Sequence, residues 1–273
     1  MIRIVLSIQY DGNLWHGWQK QKHKLTIQDK LEEAIKKLIL IKINVICSSR
    51  TDTGVHALEQ IAHFDTNIKK SKILWLYGIN HFLPPTIVIN WVHKFKINNI
   101  KEKNFHSRFS AISRIYQYIL YNNILKSPFL YGKVGWTHKK LNINLMNNGA
   151  KYLIGLHDFS NLKSSKCQSK TSIKNIKYIK IYKYKKIIIF IINANSFLYH
   201  MVRNIIGLLI NVGNGLYKPI DVYKILKKKK KYNIFTFMPY GLYLTKINYS
   251  NIWNLPKKKN INFFLNIYKF LVQ

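Results

Sequence analysis

Hydrophobic and polar residues alternate over the first ten positions of the chain, which is the pattern of a β-strand with one buried face. We predict this strand over Arg3 to Gln9. Further along, Thr26 precedes Asp29 by three positions, which resembles the capping box that starts a helix. The apolar residues that follow recur at helical spacing and support this helix: Ile27, Leu31, Ala34, Ile35 and Leu38.

Four more elements complete the first hundred residues. Two strands, a helix that Ser71 caps and Pro84-Pro85 ends, and a last strand are predicted. The resulting order is β-α-β-β-α-β, which is the split βαβ pattern. The three strands cover, in order, Val45 to Ser48, Gln60 to Asp65 and Ile87 to Phe95, and a polar connector follows over Asn98 to Asn104.

The second half repeats this plan without a visible repeat of residues. Helices are predicted over Leu145 to Ile154 and Phe197 to Val212. Strands are predicted over Ile115 to Tyr121, Ile173 to Tyr184, Ile187 to Ala194 and Gly241 to Tyr249. We therefore predict an α+β protein made of two modules, residues 1–100 and 105–250, whose sheets could join edge to edge. Residues 251–273 form a basic tail that the pattern assigns to neither module.

Composition adds a strong charge to this picture. Hydrophobic residues make up 48% of the chain, as in a globular protein, and the net charge is +35. Such a charge indicates a polyanionic partner, because lysine and arginine release counterions when they neutralise phosphates. An A/T-biased coding sequence would also enrich Lys, Asn and Ile. The runs Lys227 to Lys231 and Lys257 to Lys259 fit that second explanation best.

Several classes of protein are disfavoured by the motifs that the sequence lacks. Cys47 and Cys167 are far apart and form no CxxC pair, which argues against a zinc ribbon or a disulfide scaffold. The sequence contains no HExxH, GxGxxG or GxxxxGK[ST] motif, so we expect no metal and no nucleotide cofactor. Its apolar stretches are too short to span a bilayer. We expect a cytoplasmic protein without membrane contact.

The segment Arg50-Thr51-Asp52-Thr53-Gly54-Val55-His56 is the first candidate for chemistry. Acids are scarce in this chain, with 10 Asp and Glu against 45 Lys and Arg. A nearby arginine favours an ionised carboxylate, which can act as a nucleophile or an electrostatic stabiliser at a sugar carbon. The alternative is structural, because an aspartate in such a turn can simply cap backbone amides.

Two further segments interleave basic and aromatic residues. Phe105 to Ala111, followed by Arg114 and Tyr116, suits phosphate contacts and base stacking, although the aromatics could equally be core residues of a strand. We favour the core for Tyr118. In the second segment Arg203 enters an apolar helix, where Tyr199 would share its face. That arginine is either a helix-end charge or a cation buried against a catalytic carboxylate.

With these segments in place, the chain resembles the bacterial TruA family of tRNA pseudouridine synthases from about residue 3 to about residue 250. The residues that carry the resemblance are Tyr10-Asp11-Gly12, Gly17-Trp18-Gln19, the seven residues from Arg50 to His56, Phe105 to Ala111, Cys167-Gln168-Ser169, His200 to Asn204 and Gly241 to Leu244. The heptad around Asp52 and the His200 to Asn204 helix form a specific pair.

The resemblance implies an isomerase, usually a homodimer, that needs no cofactor or catalytic metal. It would convert uridine to pseudouridine at positions 38 to 40 of the tRNA anticodon stem-loop. The fold implied is two split-βαβ modules joined into an extended antiparallel sheet with helices on one face. The active site would lie in a basic cleft between the modules.

The resemblance also implies roles for single residues. Asp52 would be the catalytic carboxylate, attacking the ring, attacking the sugar or removing a sugar proton, and Arg203 would pair with it. Tyr116 would stack on the uracil, Arg50 would hold the flipped nucleotide, and Leu244 would pack against the base. Contact with tRNA would come from Phe105, His106, Ser107, Arg108 and Phe109, and from Lys166, Cys167, Gln168, Ser169 and Lys170.

The chain departs from the family pattern at three positions. Thr53 stands where Ala is common, and we expect this change to be tolerated. Ile115 and Lys170 replace arginines, and these two changes would affect the affinity for RNA more than the chemistry. Two other functions stay open at this point. One is a non-catalytic protein that binds or folds tRNA, and the other is a basic structural protein of the ribosome or nucleoid. The latter would not need the Asp52 heptad.

Overall fold

A computed structural model describes residues 1–97, 104–228 and 234–256. These residues form two compact units. Of the described residues, unit 1 contains 1–114 and 243–256, and unit 2 contains those between 115 and 242. The predicted boundary near residue 105 therefore falls within unit 1. Most of the predicted connector, most of each lysine run and most of the predicted tail lie outside the described residues.

Unit 1 has the predicted β-α-β-β-α-β order. Its central strand, β1, pairs antiparallel with β3 on one side and with β4 on the other, while β2 pairs antiparallel with β3. A later strand, β10 (Leu242–Tyr249), adds to β3 in parallel from Tyr243 onward. The other elements are β1 (Ile2–Tyr10), α1 (Ile27–Ile39), β2 (Ile46–Cys47), β3 (His56–Thr66), α2 (Lys72–Phe82) and β4 (Ile87–Lys96).

Both helices of unit 1 begin where the sequence places their caps. The Thr26 hydroxyl accepts the Asp29 backbone N–H at 3.3 Å, and the Ser71 hydroxyl accepts that of Leu74 at 3.1 Å. These bonds satisfy donors that the first helical turn leaves without a partner. The inward faces of both helices are buried, with Ile27, Leu31, Ile35, Trp75 and Ile79 in the core.

In unit 2 the strand order is β5-β9-β8-β7, and β6 pairs in parallel with β5. Strand β5 crosses the boundary between the units, since its first four residues belong to unit 1. The sequence pattern did not predict β6, β7 or α5. The elements are β5 (Ala111–Asn122), β6 (Gly135–Thr137), α3 (Ile143–Lys151), β7 (Gly155–Asp158), β8 (Ile173–Tyr184), β9 (Ile187–Ala194), α4 (Met201–Gly213) and α5 (Pro219–Leu226).

Helix α4 begins at Met201, four residues later than predicted. His200 adopts a left-handed backbone conformation with φ of 63°, which stops the helix from extending toward Phe197. Tyr199 therefore lies before the helix, and the predicted sharing of one helical face by Tyr199 and Arg203 is wrong. Every residue of the helix is buried except Arg203, which is half-buried.

The predicted α+β class is confirmed. Two parallel pairings, β3 with β10 and β5 with β6, accompany the antiparallel ones. In the three described stretches of chain, no helix combines the length and the apolar character that crossing a bilayer requires.

Candidate active site

Asp52 lies in a tight turn between β2 and β3. Its backbone carbonyl accepts the Val55 N–H at 3.1 Å, and Gly54 closes the turn with φ of +77°. A residue with a side chain rarely adopts this φ, so the turn depends on glycine at that position. The turn leaves Asp52 half-buried and Arg50 exposed.

One wall of this turn is the backbone of Gly17 and Trp18. Gly17 has φ of +82°, and a Cβ atom there would lie 2.6 Å from the Thr51 carbonyl oxygen. The N–H of Trp18 donates to that same oxygen at 3.0 Å. Only a residue without a side chain permits this approach of two backbones. The Gly17-Trp18 motif is therefore part of the scaffold that supports Asp52.

The end of β1 and the residues just after it also pack against this turn. The hydroxyls of Tyr10 and Thr51 lie 2.8 Å apart, with both side chains buried. A Cβ atom on Gly12 would lie 2.1 Å from the Val55 carbonyl oxygen, and the Gly12 N–H donates to His56 Nδ1 at 3.0 Å. Three motifs that are separate in the sequence thus form one packed cluster around the Asp52 turn.

Strand β10 brings Leu244 to the strand that follows the turn. Leu244 is paired with Ala57 of β3 and is fully buried. The preceding residue, Tyr243, stacks its ring on His56 with a centroid distance of 4.5 Å. Unit 1 therefore contains Asp52, Arg50 and Leu244 of the predicted site.

Unit 2 contains the other two predicted site residues, Tyr116 and Arg203. Tyr116 is buried on β5 and meets Phe197 edge to face, with ring centroids 5.2 Å apart. The Arg203 Nε donates to the Phe237 carbonyl at 2.7 Å, and the Phe237 N–H returns a bond to the Arg203 carbonyl at 3.3 Å. Tyr118 is also buried, as the core interpretation predicted.

The segment from Phe105 to Phe109 divides into core and surface residues. Phe105 is fully buried within an aromatic cluster, and the Ser107 hydroxyl donates to the Ile46 carbonyl at 2.7 Å in a fully buried position. Both side chains thus belong to the core of unit 1, and their contact with RNA stays a prediction. Arg108 and Phe109 are exposed, and the arginine lies over the ring at 5.6 Å from its centroid. His106 is half-buried.

The aromatic cluster includes a residue from the predicted tail. The ring centroid of Trp253 lies 5.3 Å from that of Phe105 and 6.1 Å from that of Phe95, and Tyr249 completes the cluster. The chain as far as Trp253 is therefore part of unit 1. In the sequence, the signal for this packing was a single large aromatic residue between Ile252 and Asn254.

Arg114, which the sequence placed in a segment suited to phosphate contacts, is a buried residue that supports the chain around the Asp52 turn. Its guanidinium donates to the Arg108 carbonyl at 2.6 Å and to the Ala111 carbonyl at 3.2 Å. It also donates to the Ser48 hydroxyl at 3.3 Å. Arg114 thereby ties the chain just before the Asp52 turn to the exposed Arg108-Phe109 segment.

The loop from Lys166 to Lys170 lies on the surface of unit 2. All its residues are exposed except Cys167, which is half-buried. The loop is anchored through Ser164, whose N–H donates to the Tyr199 carbonyl at 3.0 Å. Lys174 lies behind it, where burial lowers the lysine pKa and the ammonium donates to the Thr171 carbonyl at 3.0 Å.

Residues 1–97, 104–228 and 234–256 contain no group of three or more His, Cys, Asp and Glu side chains arranged to hold a metal ion.

Comparison with known proteins assigns this chain to a family. A family model described as tRNA pseudouridine synthase matches residues 6–110 and 150–250. The chain is 48% identical over 262 residues to tRNA pseudouridine synthase A of Janthinobacterium sp. (strain Marseille), covering 96% of this chain and 97% of that protein. It is 47% identical to the enzyme of the same name from Herminiimonas arsenicoxydans, covering 96% and 94% of the two chains.

A more distant relative matches over a similar span. The tRNA pseudouridine synthase A of Coxiella burnetii (strain Dugway 5J108-111) is 41% identical over 266 residues, which cover 97% of this chain and all of that protein. Among solved structures, an archaeal box H/ACA sRNP Nop10-Cbf5 complex aligns with 76% of this chain and 43% of its own. The TM-score there is 0.36 and the identity 8%.

Proposed function

We propose, because this chain belongs to the tRNA pseudouridine synthase family, that it modifies the anticodon stem-loop of tRNA at positions 38 to 40. The family isomerises uridine in tRNA, so the chain is an isomerase with tRNA as its substrate. The proposal adds the position in the tRNA, the residues that act there and the assembly of the protein.

The reaction sets clear demands on the site. The bond between uracil N1 and ribose C1′ breaks, and a bond between C5 and C1′ forms. The hydrogen on C5 leaves as a proton, N1 gains a proton, and no net oxidation occurs. The detached uracil must rotate without escaping, so the site must hold the base while excluding water.

Asp52 is the carboxylate that we propose for this chemistry. The observation that carries this assignment is the packing of its turn against two other backbone segments, Gly17-Trp18 and Tyr10 to Gly12. A catalytic group must be held within a fraction of an ångström of its working position, and a turn clamped by two backbones meets that need. Surface aspartates that only cap turns do not require such packing.

The remaining site residues have complementary physical roles in the proposal. Arg203 would pair with Asp52 and favour its ionised form, and exposed Arg50 would hold the phosphate of the extruded nucleotide. Tyr116 would stack on the uracil, and Leu244 would supply an apolar surface beneath it.

We propose that contacts with the body of the tRNA come from exposed and half-buried residues on each unit. In unit 1 these are His106, Arg108 and Phe109, the last of which is 76% exposed. An arginine over an exposed aromatic ring can contact a phosphate while the ring stacks on a base. In unit 2 the proposed contacts are Lys166, Cys167, Gln168, Ser169 and Lys170.

We further propose that the protein forms a homodimer through an apolar loop of unit 2. In this loop Ile124, Leu125, Phe129 and Tyr131 are 73% to 88% exposed. Residues 115–132 contain a single charged side chain, Lys126, although the chain as a whole has 45 Lys and Arg. Two copies of a polycation repel each other, so a contact between them needs surface that is poor in charge and rich in apolar area.

Charged substitutions in the apolar loop test this assembly. Phe129→Asp combined with Tyr131→Asp should convert a dimer to a monomer in sedimentation velocity at micromolar concentration. Tyr77→Asp is the matched control, because Tyr77 is 69% exposed on α2 and lies outside the loop. A monomeric parent protein, or a dimer that persists in the double variant, would refute this surface.

The proposed target positions are tested with tRNA transcripts. Each transcript carries uridine at only one of positions 38, 39 and 40, and a matched transcript carries uridines only elsewhere. Mapping after incubation should find pseudouridine at the three proposed positions alone. Modification at other uridines would contradict the positions, whereas tight binding without product would indicate a non-catalytic tRNA-binding protein.

A further inference from the structure

His56 is a buried ring at the junction of three segments of unit 1. It is the first residue of β3, four residues after Asp52, and its side chain is 3% exposed. Its ring stacks nearly parallel on Tyr243, with an interplanar angle of 18°. The stacking holds the plane of the imidazole and so fixes the direction in which its Nδ1 points.

Two groups compete for the Nδ1 atom of this ring. The backbone N–H of Gly12 and the Asp11 carboxylate oxygen Oδ1 each lie 3.0 Å from it. A backbone N–H can only donate, and a carboxylate can only accept. Nδ1 can therefore bond to Gly12 when its lone pair is free, or to Asp11 when it carries a proton, but not to both.

Of the two possible bonds to Nδ1, the one from the Gly12 N–H has the larger structural consequence. Gly12 is buried, so an N–H without an acceptor there would be costly. The residue also packs directly on the Val55 backbone at the end of the Asp52 turn, and Tyr10 just before it contacts Thr51. A bond from Gly12 to His56 therefore closes the cluster that clamps the turn.

We propose that His56 is a positioning residue for the isomerisation. Its proton resides on Nε2, and its Nδ1 lone pair fastens Gly12 against the turn that presents Asp52. In this state the Asp11 Oδ1 accepts the Asn13 N–H at 3.2 Å rather than a proton from Nδ1. The inference rests on the proposed role of Asp52, since His56 acts only through the placement of that carboxylate.

Two substitutions at His56 distinguish the contribution of the Nδ1 acceptor from that of the ring stacking on Tyr243. Asn places an oxygen near the position of Nδ1 but cannot stack on Tyr243, whereas Phe keeps the stacking and has no acceptor. In single-turnover tritium release from C5-labelled tRNA with the enzyme in saturating excess, His56→Phe should lose about 10- to 100-fold in rate, the cost of a displaced catalytic group. In separate steady-state assays, the KM for tRNA should stay within about twofold, because binding contacts are untouched.

The His56→Asn variant distinguishes a role in positioning Asp52 from a general contribution to the stability of the fold. His56→Asn should recover most of the rate even though it loses the ring stack. Thermal melts of both variants establish that the assayed protein is folded. A His56→Phe variant that turns over at the parent rate, or equal losses in Phe and Asn variants, would overturn the proposal.

Nitrogen NMR of the unmodified protein provides a test that needs no activity. With ¹⁵N-labelled histidine, the His56 ring should be protonated at Nε2 and bare at Nδ1. Asp11→Asn keeps an oxygen for the Asn13 N–H that Asp11 now bonds at 3.2 Å, and should preserve both this tautomer and the turnover rate. A proton on Nδ1 would overturn the inference. Absence of tritium release from the parent protein would instead refute the proposed function.

Discussion

The Tyr10 hydroxyl lies 2.8 Å from the Thr51 hydroxyl in the core of unit 1. Thr51 is also held through its backbone, because its carbonyl accepts the Trp18 N–H at 3.0 Å. The residue immediately before Asp52 is thus fixed through its side chain and its main chain by two different segments. This arrangement gives the turn little freedom to move relative to β1.

The contribution of the Tyr10 to Thr51 contact can be measured with a double-mutant cycle. Tyr10→Phe and Thr51→Val should each lower the free energy of unfolding by about 1 to 2 kcal/mol, because each leaves a buried hydroxyl without its partner. The double variant should lose less than the sum, by at least about 0.5 kcal/mol. Urea unfolding of the four proteins provides the energies, and strictly additive losses would show that the hydroxyls do not interact.

A methyl group at Gly17 should disrupt the turn. Gly17→Ala places a Cβ atom 2.6 Å from the Thr51 carbonyl oxygen, whereas Gly215→Ala has the same φ of +82° and open space around it. The control should therefore lose only about 1 to 2 kcal/mol from backbone strain. Gly17→Ala should lose about 1 to 3 kcal/mol more and most of its turnover. Equal effects in urea unfolding and tritium release would contradict the close packing.

The elements of unit 1 were predictable because their signals are local. Thr26 and Ser71 cap their helices through bonds to residues three positions ahead, and alternation marks the strands. Strand β3 was predicted from Gln60 but starts at His56, since its first residues pair with β10 from the far end of the chain. Such pairing leaves no trace in a short window of sequence. The left-handed conformation of His200 was equally invisible.

Acidification should destabilise unit 1 through His63. Burial, with help from the nearby charges of Arg3 and His106, lowers the pKa of His63 from 6.5 to about 4. Between these two pKa values, the His63 imidazole binds a proton in the unfolded chain but stays neutral in the folded chain. The free energy of unfolding should therefore be highest above pH 6.5 and should fall by about 3 kcal/mol as the pH drops toward 4.

Urea unfolding at pH 7.5 and at pH 5 measures this dependence. In His63→Asn, whose amide oxygen can still accept the Ser107 N–H that His63 Nδ1 now accepts at 3.3 Å, the pH dependence should be smaller. An unchanged dependence in that variant would assign the acid sensitivity to other groups.

Cys47 should resist alkylation in the folded protein. Removal of the thiol from water raises its pKa to about 12, and the opposing effect of Arg50 is smaller. Since the thiolate is the reactive form, modification by iodoacetamide at pH 8 should be about 10³-fold slower than in the urea-unfolded chain. Peptide mass spectrometry measures both rates at Cys47, and equal rates would contradict this shift.

The sequence was sufficient to select Asp52 as a candidate catalytic residue, but not to predict how the residues around it pack. Asp52 stands out because acids are scarce, and the motifs around it supply the resemblance. The same motifs did not reveal that Phe105 and Ser107 belong to the core, because aromatic and hydroxyl side chains serve surface and core alike. The buried bonds of Arg114 join segments more than sixty residues apart, which no local pattern encodes.

Release of tritium from C5-labelled tRNA by Asp52→Asn, compared with the parent protein and with Asp221→Asn, tests the role of the carboxylate most directly. Asp221 lies in the first turn of α5, where its loss removes a charge of the same sign. The parent and Asp221→Asn should release one equivalent of tritium per modified uridine, while Asp52→Asn should bind the tRNA and release none. Turnover by Asp52→Asn at the parent rate would show that the chemistry depends on another group.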